Sequence, residues 1–447
     1  LEDEPKAIVR ILWRDTDRAY RGASQRLNLI KSNTEMQVAE RDPSGDFSEE
    51  SPEVDVQPVA SAPFTPAQWE PKLKRWSAAF QGHEGILTSN VALVLTVDHR
   101  YFVDSKGSRI RHGRAFARVE VNAQSKASDG MNLGLSRSVE AETPAKLPAD
   151  AAVDKTIATL IRDMEGLLQA PLAEPFVGPA ILSGRAAAVF FHEIFGHRME
   201  GHRQKDEREG QTFTSQVGQG VLAPFLSVYA DPTQREVAGQ DLMGWYAYDD
   251  EGVKARRVPL VEGGVLRNFM MSRSPVAGFP RSNGHGRKAP GNEVVSRQSN
   301  LLVEAARTVP EAALREALRE EIRKQKKPYG LYFEDVSGGL TTTGRDGLQA
   351  FTVTPLVVYR VYADGRPDQL VRGVDIVGTP LTSFAKILAA SDRPEVFNGF
   401  CGAESGSIPV AAVSPSLLVS EIETQRRGKA EDRPPLLPFP RATGGAQ

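Results

Sequence analysis

Cysteine is almost absent from this chain of 447 residues: Cys401 stands alone, so no disulfide can form within the chain and the thiol needs another explanation. Long apolar runs are missing too. Ala186–Phe191 is among the longest, far short of the ~20 residues of a membrane-spanning helix. Neither sign of charge is in excess, with 55 Lys+Arg against 57 Asp+Glu, which argues against a dedicated nucleic-acid binder. No internal repeat is visible, which sets solenoids and propellers aside. The chain opens at Leu1 without Met, so the expectation is that a native start, and any targeting segment, preceded it. A free thiol suits a cytoplasmic home, while the missing start leaves a periplasmic one open.

What is present is ordinary globular composition, 40% hydrophobic with 39 Gly, enough for a sizeable core. The length suits two or three domains of roughly 100–200 residues each. Residues 6–14 and 27–39 read as short strands, 40–63 as a polar, Pro-containing loop and Thr65–Phe80 as a helix. Val91–Asp104 and Ser108–Asn122 read as strands about the turn Asp104–Gly107. Ala149–Ala170 is amphipathic, with Ile157, Leu160, Ile161, Met164 and Leu167 at helical spacing. Pro171, Pro175 and Pro179 then mark a boundary. Beyond it come a helical block at 180–205 and many strands. Glu262–Gly264 separates one pair, and Asp364-Gly365 separates Phe351–Tyr362 from Gln369–Val377. Thr308-Val-Pro-Glu311 resembles a capping box opening a helix to about Lys327. The expected fold is α+β in two domains. Residues 1–172 form an antiparallel sheet with helices, 173–425 a strand-rich domain carrying the chemistry, and 426–447 a disordered tail.

Two of only 7 His lie in His192-Glu193-Ile194-Phe195-Gly196-His197. Neutral imidazoles bind zinc, and a neighbouring Glu can take a proton from zinc-activated water. In the better-known HExxH helix the ligands lie four apart and share a face. Five residues at 3.6 per turn leave the two rings roughly 140° apart on a regular helix. The spacing therefore predicts a π-bulge or a helix break between His192 and His197, and Gly196 is the residue type that tolerates irregular backbone most cheaply. The apolar lead-in Ala186–Phe191 implies that His192 emerges from a buried helix, where it needs a partner. A third ligand is open between His202, His285 and Cys401. Chemistry favours the thiolate, set in the Gly-rich stretch Asn398–Gly406, although most free cysteines are simply small buried hydrophobes.

His192-Glu-Ile-Phe-Gly-His-Arg-Met-Glu-Gly201 resembles the signature of the TldD/PmbA metallopeptidases. The resemblance continues, in order, through Tyr248–Gly252, Leu260–Leu266, Ser282–Arg287, Arg297–Asn300, Val371–Gly373 and the Cys401 block. It implies a zinc peptidase of two α+β domains acting as a dimer. The metal ligands are then His192, His197 and Cys401, and the partner is a second copy or a paralogue lacking HExxxH. Its substrates are unfolded or small peptides and peptide-like precursors. The family's link with DNA gyrase is indirect, and nothing in the sequence points to DNA. One departure is His202, where relatives commonly carry an acidic residue.

Glu193 is the candidate general base. Glu200, seven residues on, is a candidate to orient a ligand His, or else a solvated carboxylate. Gly201–Gly210 reads as an exposed mixed-charge loop or helix end. His285 and Arg287, among Gly284 and Gly286, read either as a flexible surface loop or as a loop in which the Arg binds a substrate carboxylate, and Asn300 joins them as a candidate substrate contact. His83, His99 and His112 have no metal-like spacing. Three functions follow in order of preference: an active zinc peptidase, a peptide-binding scaffold subunit with a vestigial site, and a zinc amidohydrolase. An intact Glu193 favours the first over the second, because a structural zinc needs no base.

Overall fold

The structure, a computed structural model, describes residues 4–34, 44–206, 209–344, 351–378 and 384–427. The expected tail at 428–447 lies outside them. Two units are present. The first holds helix α1, Pro5–Thr34, which corrects the strands expected at 6–14 and 27–39. Val9, Trp13, Tyr20, Leu27 and Ile30 recur at helical spacing along α1. Short windows hide a period that only the full 30 residues display.

The second unit is mixed α+β. Its first sheet is built on β3 (Arg109–Lys126), flanked by β2 (Thr88–Val103) on one side and by β1 (Val54–Val56) and β4 (Asn132–Ala141) on the other. Helices α2 (Pro66–Ala78) and α3 (Asp150–Gln169) cover it. The predicted stripe of α3, with Ile157, Leu160, Met164 and Leu167, packs there on Trp76, Val119, Val121 and Leu133.

The larger sheet begins with β5 (Phe176–Leu182), which leads into α4 (Gly184–Ile194). Next come β6 (Leu226–Ala230), the small ladder β7–β8 (Glu236–Val237, Gln240–Asp241), β9 (Val258–Glu262) and β10 (Val265–Leu266). A second small ladder, β11–β12 (Gly286–Arg287, Val295–Ser296), precedes β13 (Asn300–Ala305) and helix α5 (Glu311–Lys324). The chain continues through β14 (Gly330–Thr341), β15 (Phe351–Val361), β16 (Gln369–Val371) and β17 (Val374–Gly378), and ends in the hairpin β18 (Ile387–Ala403) and β19 (Gly406–Arg426). Because β5 pairs with both β14 and β19, the strands β5, β14, β15, β17 and β19 close into a ring. Helix α4 is buried apart from Arg185 and Glu193, and apolar apart from these and His192; it packs on β14, β15, β18 and β19. The Oγ of Ser183 accepts the Ala186 amide at 3.1 Å and caps its start. The expected capping box at α5 does not close. Pro310 holds the cap position without a side-chain bond, and Val309 instead pairs with the β18 backbone at Ala390. Among the described residues, no helix is long and apolar enough to cross a membrane.

Phe191 is fully buried in α4, with its ring 5.2 Å from that of Phe384 and 6.2 Å from that of Phe195. Phe191→Ala should cost ~3–5 kcal/mol, read as a lowered urea midpoint with an unchanged m-value.

Candidate metal centre

His192 occupies the last turn of α4, and His197 the 3-10 turn Gly196–Met199 that follows. The last α-type bond runs from the Phe195 amide to the Phe191 carbonyl (3.0 Å), and the next is the tighter Arg198 amide to Phe195 carbonyl (3.0 Å). The expected break is therefore present, as a switch to 3-10 geometry. It brings the two ring centroids to 5.2 Å. Gly196 is needed for space rather than for a left-handed backbone: a Cβ there would lie 1.9 Å from Gln298 Oε1. The same amide donates through Nε2 to the His192 carbonyl at 3.2 Å.

Cys401 comes from β18, opposite Ile408 of β19. Its Sγ lies 3.4 Å from His197 Nε2, and one ligating atom from each of His192, His197 and Cys401 falls within 4.8 Å of the others. These dimensions fit zinc. Bonds of ~2.3 Å to sulfur and ~2.0–2.1 Å to nitrogen put S and N about 3.5 Å apart on a tetrahedron. All three side chains are buried. Burial alone would push the Cys401 thiol up, but the imidazoles of His192 and His197 beside it hold it well below the ordinary thiol range.

Glu200 is wholly buried, not solvated. Its Oε2 lies 3.3 Å from His197 Nδ1 and accepts Arg203 Nε at 2.8 Å, while Oε1 pairs with Arg297 Nε at 3.3 Å. Burial opposes its charge, yet His197, Arg203 and Arg297 outweigh that and hold its carboxyl well below the usual range. In turn, burial lowers His197, but Glu200 and Cys401 raise it well above the ordinary imidazole value. A carboxylate on Nδ1 leaves Nε2 facing Cys401, the orientation that a metal-ligating histidine adopts. The stretch Gly201–Gly210, expected to be an exposed loop or helix end, opens as the 3-10 turn Gly201–Gln204 and is drawn inward rather than exposed, with Gly201, Arg203 and Gln204 buried; residues 207–208 lie outside those described. Glu193 is half-buried, and its Cγ packs where a Cβ on Gly339 would stand 2.6 Å away.

The other sequence candidates serve the scaffold in this structure. His285 is fully buried, its Nδ1 3.0 Å from Asn283 Oδ1 and its Nε2 3.3 Å from Ser299 Oγ. Arg287, also buried, donates to the carbonyls of Gln298 and Pro409. The expected surface loop is thus corrected, because the segment is held inside by β11–β12 pairing. Asn300 Nδ2 donates to the carbonyls of Asp231 (2.9 Å) and Gln234 (2.8 Å). His202 pairs with Glu404. His83 bonds Glu165 and His99 bonds the Ala60 carbonyl. Sequence reasoning missed Arg203, Arg297 and Gln298 as neighbours of the ligands. Their one signal was membership of the polar blocks at 201–210 and 297–300.

Residues 177–426 match the family model described as PmbA/TldA metallopeptidase C-terminal domain. A metalloprotease of Methanocaldococcus jannaschii is 25% identical over 231 residues, 52% of this chain and 47% of that protein. A Haemophilus influenzae protein named metalloprotease TldD homolog is 23% identical, covering 57% and 49%. A Saccharolobus solfataricus protein named zinc metalloprotease TldD homolog is 24% identical, covering 55% and 51%. The chain thus spans about half the length of the curated relatives it matches. Among solved structures, TldE from Thermococcus kodakarensis shares the fold with a TM-score of 0.58 at 14% identity, covering 84% of this chain and 79% of that one. A Thermotoga maritima protein titled as a candidate DNA gyrase modulator gives a TM-score of 0.62 at 15% identity, covering 87% and 81%.

Burial pushes His285 from 6.5 down to about 3. Between those values the unfolded chain binds more protons than the folded one, so stability rises with pH and is lost as pH falls through that window. In His285→Gln, unfolding free energies between pH ~5 and ~6.5 should vary less steeply, by up to ~1.4 kcal/mol per pH unit. An unchanged slope in urea titrations would show that His285 protonates freely in the fold.

Proposed function

The chain belongs to the PmbA/TldD metallopeptidase family, and on that premise we propose that it is a zinc-dependent peptidase, with the metal held by His192, His197 and Cys401 and with Glu193 as general base. The observation that supports this reading is the convergence of two imidazoles and one thiol from segments 204 residues apart. The name of the Saccharolobus relative supports zinc as the metal.

Zinc bound by His192, His197 and Cys401 would polarise a substrate carbonyl and lower the pKa of water to about 7. The rest falls to the chain. Glu193, next to a ligand, takes the proton of the attacking water and returns it to the leaving amine. No described hydrogen-bond partner competes for its carboxylate, and Gly339 leaves its stem room. Glu200 fixes the tautomer of His197. The substrates in this proposal are unfolded or small peptides, and a partner subunit, like or paralogous, shares the work.

Cys401→Ser should strongly reduce bound zinc while circular dichroism stays native; full zinc stoichiometry in that variant would remove Cys401 from the ligand set. Glu193→Gln should keep zinc and peptide affinity but slow turnover by ~10²–10⁴-fold, measured beside the wild type with any partner subunit supplied. A zinc-loaded, partner-complete wild type that cleaves nothing in a broad peptide library would leave the scaffold-subunit reading in its place.

A further inference from the structure

The two histidines come from the end of one helix and the turn that follows it, whereas Cys401 stands near the tip of the β18–β19 hairpin. Strand pairing fixes the hairpin along its length, but the tip, turning at Ala403–Gly406, needs its own anchor to keep the sulfur at the imidazoles. Two guanidinium groups supply it.

Arg297 is fully buried. Its Nη2 donates to the carbonyl of Cys401 itself at 2.8 Å, and its Nη1 to Ser405 Oγ at 2.7 Å and the Gly406 carbonyl at 3.2 Å. Arg203 reaches the same turn from the histidine side, with Nη2 3.0 Å from Glu404 Oε2. The Nε atoms of both arginines meet on one carboxylate, Glu200, which also faces His197 Nδ1. A continuous polar connection therefore runs from the His197 ring, through Glu200 and two arginines, to the main chain of the ligand cysteine.

We propose that Arg297, coupled to Arg203 through Glu200, is a positioning residue of the metal centre that holds the Cys401 sulfur at ligating distance from His192 and His197. The proposal rests on the zinc reading above. Its physical basis is the planar fork of guanidinium, whose two Nη groups donate to three acceptors of one turn while its Nε edge ion-pairs with a carboxylate. Lysine has the charge but not the fork.

The test is zinc affinity by chelator competition together with the thiolate-to-metal charge-transfer band of the cobalt-substituted full chain. Arg297→Lys should bind zinc ~10–100-fold more weakly, the usual range for removing a residue that orients a ligand, with a diminished charge-transfer band. Unchanged affinity and band in folded Arg297→Lys would overturn the proposal. If that variant does not fold, Glu404→Gln decides, since its side chain is 43% exposed and the buried Arg203 keeps Glu200 and Glu209 as partners. A several-fold weaker zinc affinity and a weaker band support the clamp, and wild-type values overturn it. A wild type that takes up neither metal sinks the zinc reading itself, an outcome distinct from wild type and variants binding alike.

Discussion

The side-chain amide of Gln298 decides where the central helix ends, and the candidate metal centre depends on that ending. In a continuing α-helix the carbonyl of His192 would pair with the amide of residue 196. Here it accepts Gln298 Nε2 at 3.2 Å, and the other end of the same amide fills the space beside Gly196. The backbone tightens into a 3-10 turn, and His197 swings round to the side of His192. A five-residue spacing that would point two rings apart on a straight helix thus becomes a spacing that joins them. Gly196 and Gln298 form a matched pair: without the glycine there is no room for the amide.

Closing the centre from the other side requires burying charge. Glu200 has no exposed surface, and a lone carboxylate there would be costly or would protonate. Two guanidinium groups and the His197 ring keep it ionised. The arrangement is sensitive in the way buried ion networks are: removing one member strands the others, a loss of about 3–5 kcal/mol. The charge around the ligands is therefore distributed as a set, with Arg203, Arg297 and His197 sharing one acid.

Much of this was legible in the sequence where the signal is local and periodic. The α3 stripe, the turns at Glu262–Gly264 and Asp364-Gly365, and the HExxxH break all follow from spacing within one segment. The failures have physical causes. Helix α1 was misread because its stripe of Val9, Trp13, Tyr20, Leu27 and Ile30 emerges only over the whole 30 residues. Thr308 lost its capping role because tertiary pairing of Val309 with β18 moved the helix start to Pro310. The inward turn of Arg203, His285, Arg287 and Arg297 could not be read locally. Burying such groups depends on acceptors elsewhere in the chain, as with the Cys401 carbonyl, 104 residues from Arg297. A glycine on either side of His285 suggested a mobile loop, whereas the glycines admit close neighbours such as Glu251 beside Gly286.

The lengths of the two supporting elements explain why His197 and Cys401 arrive at the same height. Helix α4 and strand β19 touch near the helix start, where a Cβ on Gly184 would meet the Ser414 carbonyl at 2.6 Å. From that contact the chain climbs ten residues of α-helix and three of 3-10 turn to His197, about 15 Å plus about 6 Å at the usual rises. In the opposite sense of the chain, β19 runs six residues from Ser414 to Ile408, the partner of Cys401, or about 20 Å at ~3.3 Å per residue. The two distances agree to within one residue. The ring makes that agreement durable, because β5, which launches α4, is itself paired to β19 at Leu182 and Leu417. Helix and hairpin are measured from a common origin, so the strand register that closes the core also sets the spacing of histidines and cysteine. A slip of one residue in that register would turn each side chain of the strand to the opposite face, taking Cys401 out of the centre while leaving both histidines where they are.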